Sequence, residues 1–202
     1  MGSITPKPLK IAIIGGGPGG LGTAIALSSL PYIHVTLYER ATILKEFGAG
    51  IRIGFNCWRV LELLGAAEGV KGHLKIEVLH RNGLTGDVLK VQRRGEEEDR
   101  YGPSRVRRTR LQSALREKVP EGVIRLGKKL VQLEDLGEEG GVRLFFHDGT
   151  EDVADLVVGG DGIRSVCWFS SHLLMPFGLR IPEFLIMLFL GCQTNRLSQP
   201  RD

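Results

Sequence analysis

The sequence predicts an α/β fold with a parallel central sheet, and three observations predict it. An apolar run, Ile11–Ile14, enters a glycine-rich turn, Gly15-Gly-Gly-Pro-Gly-Gly20. A helical pattern follows, with Leu21, Ala24, Ile25 and Ser28 on one face. A second strand, His34–Tyr38, comes next and ends at Glu39. Strand, turn, helix and strand in this order make a βαβ unit, whose two strands lie parallel.

The turn carries chemistry. Gly15, Gly17 and Gly20 fill the pattern G-x-G-x-x-G. In such a unit the first glycine permits the tight turn. The second lets backbone approach a pyrophosphate, and the third lets the helix pack on the strand. The helix start then offers free N–H groups and its positive dipole end to phosphate. Glu39 ends the second strand close to the spacing of about 20 residues expected for an acid that binds a ribose hydroxyl. The first 39 residues therefore predict a Rossmann-like FAD- or NAD(P)-binding domain.

The remaining elements follow in order. Residues 43–54 hold a glycine-containing loop, Phe47-Gly-Ala-Gly-Ile-Arg-Ile53. Asn56 is placed to cap a helix through Trp58, Leu61, Leu64 and Ala67. Lys75–Arg81 and Val88–Arg93 read as strands joined by the hairpin signal Asn82-Gly-Leu-Thr-Gly86. Gly95–Arg100 reads as a charged loop. Thr109-Arg-Leu-Gln112 has the spacing of a capping box and predicts a helix through Leu115 and Val119, ended by Pro120 and Gly122. Val123–Leu126, Lys129–Glu134, Val142–His147 and Ala154–Gly159 are strand candidates, with turns at Glu139–Gly141 and Asp148-Gly149. The segment 123–147 reads as an antiparallel excursion from the parallel sheet.

Composition narrows the class. The chain has 202 residues, 42% hydrophobic and 25% charged, with a net charge of +4. These are ordinary values for a soluble domain and long enough for a real core. The arginines at 105, 107, 108 and 110 have no interleaved aromatic platform, so nucleic acid is not the expected partner. Three separated cysteines and no C-x-x-C argue against a disulfide framework and for a reducing, cytoplasmic setting. Five histidines show no metal-ligand spacing, so no metal is expected. No apolar leader precedes the first strand, and the longest apolar stretch, Phe184–Leu190, is too short to span a bilayer.

Together these motifs resemble the flavin-dependent aromatic hydroxylases of the salicylate and p-hydroxybenzoate hydroxylase type. The resemblance runs over about residues 9–166. It is carried by the turn at 15–20 with Glu39-Arg40, and by Gly48-Ala-Gly-Ile-Arg-Ile53 followed by Asn56-x-Trp58-Arg-Val-Leu61. It is also carried by Ala154-Asp-Leu-Val-Val-Gly-Gly-Asp-Gly-Ile-Arg-Ser165, and by Val106-Arg-Arg-Thr-Arg-Leu-Gln112. It implies FAD, reduced by NADH or NADPH, and O2-dependent hydroxylation or epoxidation of an aromatic or similarly electron-rich small molecule. The flavin would supply the hard chemistry, so no catalytic triad is expected. The implied cofactor-binding residues are Gly15, Gly17, Gly20, Glu39, Arg40, Gly50, Arg52, Arg108 and Asp161. Arg108 would contact the flavin cofactor from just before a helix. Gly50 and Arg52 would approach the isoalloxazine side through their backbone.

The family pattern stops near Ser165. Residues 9–166 are expected to form the FAD-binding domain, with the hairpin at 74–101 belonging to a substrate domain. Residues 167–202 match nothing in the family, lack a helical or strand period, and are expected to be poorly ordered or loosely packed. The C-terminal part of the family fold is then missing, as in a truncated form. Two other readings stay open: an NAD-dependent dehydrogenase on the same βαβ unit, and a nucleotide-binding fragment without turnover. Oligomeric state and substrate identity are not legible.

Overall fold

The computed structural model describes residues 7–44, 50–74, 77–93, 102–137, 140–167 and 185–187. In chain order its elements are β1 (Leu9–Ile14), α1 (Pro18–Ser28), β2 (Ile33–Glu39), β3 (Gly50–Ile53), α2 (Phe55–Leu63), β4 (His73–Leu74), β5 (Glu77–Arg81) and β6 (Val88–Arg93). There follow β7 (Ser104–Arg107), α3 (Arg108–Arg116), β8 (Ile124–Leu126), β9 (Leu130–Asp135), β10 (Val142–Phe146), β11 (Glu151–Ala154), β12 (Leu156–Gly159) and β13 (Leu185–Met187). The chain divides into two compact units, residues 1–43 with 122–202, and residues 44–121.

The first unit is the expected α/β core. Its sheet runs β13-β12-β1-β2-β8, and every pairing is parallel. Residues 11–14 of β1 are all buried. A strand covered on both faces has no solvent side, so its apolar residues run on instead of alternating. Helix α1 buries Gly20, Leu21 and Ala24. A second sheet, β11-β10-β9, is antiparallel. Its Leu130, Leu133, Leu144, Phe146 and Ala154 share one core with Ala12, Ile14, Tyr38 and Val157 of the parallel sheet.

Two strand expectations need correction here. Ile124–Leu126 pairs parallel with Leu37–Glu39, so it belongs to the main sheet, and the antiparallel layer spans 130–154 instead of 123–147. Ala154–Gly159 is not one strand. The Lys10 N–H donates to the Asp155 carboxylate at 2.7 Å, and the Asp155 N–H donates to the Lys10 carbonyl at 2.9 Å. This pair of bonds takes the chain out of the antiparallel layer after β11 and into the parallel sheet at β12.

In the second unit, β3-β7-β4 form an antiparallel sheet with β7 in the middle. Residues 50–53, expected as loop, pair with 104–107 and bury Ile53. Both helix caps differ from expectation. Helix α2 starts after Gly54, with Asn56 inside its first turn, and α3 starts at Arg108, directly after β7. Neither start has a side-chain cap, so Thr109 takes helical backbone and no capping box forms. Burial of Trp58, Leu61, Leu111, Ala114 and Leu115 secures these helices instead. The Trp58 indole N–H donates to the Gly102 carbonyl at 3.1 Å.

The hairpin forms as expected, β5 against β6, with Asn82 Oδ1 accepting the Leu84 N–H at 2.8 Å. The charged loop at 95–100 lies outside the described residues. Of the segment 167–202, Cys167 and Leu185–Met187 are described. The latter pair parallel with Val157–Gly159 at the sheet edge.

Candidate functional site

The glycine turn closes on itself at two positions and opens at one. Gly15 has φ +106°, where only glycine is unstrained. Its N–H donates to the Tyr38 carbonyl at 2.8 Å. A Cβ here would collide with the Gly160 carbonyl and come within 3.0 Å of the Asp161 Cα. A Cβ on Gly20 would collide with the Gly15 carbonyl oxygen. A Cβ on Gly17 would meet no protein atom within 4 Å. Gly17 is the N-cap of α1, without a side-chain cap, and the first helical turn contains no acid. The positive end of the helix thus faces open space across bare backbone. A phosphate fits such a place, because the dipole and free N–H groups favour an anion.

Glu39 joins this turn directly. Its Oε2 accepts the Gly16 N–H at 2.6 Å, and its Oε1 accepts the Ala41 N–H at 2.8 Å. The carboxylate therefore sits at the turn, as the sequence predicts, and also pins it. Each oxygen keeps a further lone pair for a hydroxyl. Arg40, the next residue, is exposed.

Asp161 comes to the turn by its backbone, while its carboxylate is engaged elsewhere. Oδ1 accepts the Ser165 hydroxyl at 2.6 Å, and Oδ2 accepts the N–H groups of Val166 at 2.7 Å and Cys167 at 3.3 Å. Burial, and secondarily Asp161, push the Cys167 thiol far above its ordinary range. Gly160 is the contributor that the sequence reading missed. Its N–H donates to the Ile14 carbonyl at 2.7 Å, and its own carbonyl abuts Gly15. The adjacent glycines 159 and 160 were the available signal, since a close backbone approach needs them.

Gly50, Arg52 and Arg108 belong to the second unit. Gly50 lies opposite Arg107, and Arg52 opposite Arg105, on exposed positions of β3 and β7. Arg108 is exposed and is the first residue of α3, one position further in than the sequence suggests. Among the described residues, no group of three or more His, Cys, Asp or Glu could hold a metal ion, and no helix is long and apolar enough to cross a membrane.

The parallel sheet and the glycine turn at its carboxyl end define a dinucleotide-binding α/β protein. No protein-family model matches the chain. Curated relatives do. Salicylate hydroxylase of Pseudomonas putida is 35% identical over 187 residues, covering 87% of this chain and 41% of that protein. 6-Methylsalicylate 1-monooxygenase of Aspergillus terreus is 34% identical over 184 residues, covering 82% and 40%. Among solved structures, 2-methyl-3-hydroxypyridine-5-carboxylic acid oxygenase is 31% identical at a TM-score of 0.64, covering 79% of this chain and 41% of that one. A variant of Klebsiella pneumoniae HpxO in complex with FAD is 26% identical at a TM-score of 0.65, covering 78% and 40%. In sequence and fold, this chain corresponds to the N-terminal part of the FAD-dependent aromatic monooxygenases. It spans about two fifths of the length of the curated relatives it matches.

Proposed function

We propose that the chain binds the ADP half of FAD on the turn Gly15–Gly20 and serves an FAD-dependent monooxygenase reaction. Electrons would come from NADH or NADPH, oxygen from O2, and the acceptor would be an aromatic or similar electron-rich small molecule. The observation that carries the reading is the contrast within the turn. Gly15 and Gly20 have no room for a side chain, whereas the space beside Gly17 is open. That open space beside a helix start suits the pyrophosphate, and Glu39 at the turn suits the ribose hydroxyls. When bound, the flavin supplies the redox and oxygen chemistry. The protein's own part is to hold the phosphates by backbone N–H groups and to keep the Glu39 carboxylate aimed through the Gly16 and Ala41 N–H groups.

The proposal extends to Arg108 as a phosphate contact, and to Arg40, Gly50, Arg52 and Asp161 as further cofactor-binding positions. The names of the relatives, which act on hydroxylated aromatic acids and pyridines, support an aromatic substrate. A cytoplasmic location accords with the cysteine usage. Titration of the purified chain with FAD, followed by quenching of flavin fluorescence, tests the reading, with NADH as competitor. Tighter binding of NADH than of FAD would favour a dehydrogenase and sink the flavin assignment. A second reading is nucleotide binding without turnover. Product analysis with NAD(P)H, O2 and a panel of phenolic acids separates the two.

A further inference from the structure

A cavity of about 310 Å³ lies in the first unit, lined by residues of β1, β2 and β11. The parallel register sets Lys10 beside His34, Ala12 beside Thr36 and Ile14 beside Tyr38, all on one face of the sheet. The Lys10–His34 row stands four residues before the Ile14–Tyr38 row, roughly 13 Å toward the amino ends of the strands. Dinucleotides bind outside the carboxyl ends, so this cavity is a different place. Its volume falls at the lower end of small-molecule pockets, which run from about 300 to 1,000 Å³.

The lining passes from exposed to buried. Lys10, His34 and Asp152 are exposed, whereas Ala12, Tyr38 and Ala154 are buried. The floor is therefore closed and the mouth polar. Ala12 and Ala154, both small, meet in the core between the two layers, which leaves room there.

Two kinds of polar group face the space. Lys10 and His34 are cross-strand neighbours. An ammonium donates three hydrogen bonds and accepts none, and an imidazole has a ring N–H whether neutral or protonated. This pair of donors suits the two oxygens of a carboxylate. On β11 the chemistry is reversed. The Tyr38 hydroxyl donates to the Asp152 carboxylate. Burial first, and then that bond, push the Tyr38 phenol far above its ordinary range, so it stays a donor to Asp152. Asp152 Oδ1 also accepts the Val153 N–H at 2.8 Å. A carboxylate has about four acceptor positions, so Asp152 retains capacity for a hydroxyl. Donors on one wall, an acceptor on another and an apolar floor match a compact molecule that carries an acid and a hydroxyl.

We propose that this cavity is a second ligand site, separate from the glycine turn. It takes a small hydroxylated carboxylic acid, with the carboxylate on Lys10 and His34 and the hydroxyl on Asp152.

Calorimetric titration of the full chain with 3-hydroxybenzoate tests the site, with benzoate and phenol as probes that each lack one group. Saturable binding of 3-hydroxybenzoate is expected, tighter than that of either fragment. Lys10→Met should weaken 3-hydroxybenzoate and benzoate alike, about three- to tenfold, and leave phenol unchanged. Asp152→Asn should weaken 3-hydroxybenzoate and phenol by a similar factor and leave benzoate unchanged. Both side chains are exposed, and asparagine keeps an oxygen for the Tyr38 hydroxyl, so both variants should fold, as circular dichroism will show. The absence of saturable binding up to about 10 mM overturns the proposal. So does binding that both folded variants leave unchanged, since the acid then sits elsewhere. An equal loss for all three probes in either folded variant also overturns it, because the assigned contacts are then wrong.

Discussion

Replacing Gly17 by alanine separates ligand binding from folding, because its neighbours in the turn behave oppositely. Gly17 has φ −72° and ψ 173°, an extended conformation that alanine adopts freely. A new Cβ there meets nothing within 4 Å. The loss of freedom in the unfolded chain favours the variant by about 0.4–1 kcal/mol. The poorer helix N-cap offsets this by about as much. Thermal stability should therefore stay within about 1 kcal/mol of the parent. The methyl group projects, however, into the space assigned to the pyrophosphate. Overpacking a tight contact costs about 1–3 kcal/mol, so FAD affinity should fall about 5–150-fold. Gly20→Ala is the opposite case. Its methyl would overlap the Gly15 carbonyl oxygen and force α1 off β1. A similar cost then appears as instability, a fall in melting temperature of about 2–12 °C. Calorimetric melting and FAD titration on both variants check the pair. If Gly17→Ala binds FAD as tightly as the parent while remaining folded, backbone approach of a ligand at Gly17 is refuted.

Glu39→Gln should lower both stability and FAD affinity. The amide can accept one of the two N–H groups from Gly16 and Ala41 but presents its NH2 to the other. A loss of about 1–3 kcal/mol in melting free energy is expected, and unchanged melting and unchanged affinity together would make Glu39 a bystander. Arg108→Ala should weaken FAD binding, with a loss that shrinks as salt rises, because a guanidinium facing phosphate is partly screened; a salt-independent loss would indicate packing. Stability should decline above about pH 9. Burial and then Asp161 hold the Cys167 proton, and burial and then Asp152 hold the Tyr38 proton. The unfolded chain releases these protons near pH 9 and 10 while the folded chain keeps them, so each group removes up to about 1.4 kcal/mol per pH unit once its unfolded form titrates. Cys167→Ala and Tyr38→Phe should flatten that slope in urea titrations between pH 8 and 11, and an unchanged slope in both would discount the two groups.

The βαβ unit was legible because everything that makes it is local. A doubly covered strand shows as an apolar run, and glycines mark the places where backbone touches backbone. The hairpin at 77–93 was legible for the same reason, its turn residues lying between its strands. What escaped the reading is non-local. Ile124–Leu126 looks like any short strand, and only its pairing with β2 puts it in the parallel sheet. The break at Asp155 depends on Lys10, far away in sequence. Gly50–Ile53 reads as loop until Ser104–Arg107 pairs with it. At the site, the position of Glu39 was readable from spacing. The engagement of Asp161 with Ser165, Val166 and Cys167 was not, because an Asp-Gly pair signals a turn and a ligand contact equally well.

The pairing of β1 with β12 has a consequence for biosynthesis. The strand that opens the domain has its lower-numbered neighbour at once, but its other flank waits for Leu156–Gly159. The bonds between Lys10 and Asp155 span 145 residues. At ribosomal speeds of about 5–20 residues per second, that interval lasts roughly 7–30 s. Throughout it the nascent Ile11–Ile14 segment presents an unsatisfied hydrophobic edge, a target for chaperones and for misassociation between neighbouring polysomes. Slower translation prolongs the exposure without changing the finished fold, so yield in the cell should respond to temperature and chaperone supply more steeply than the purified protein's melting behaviour would suggest.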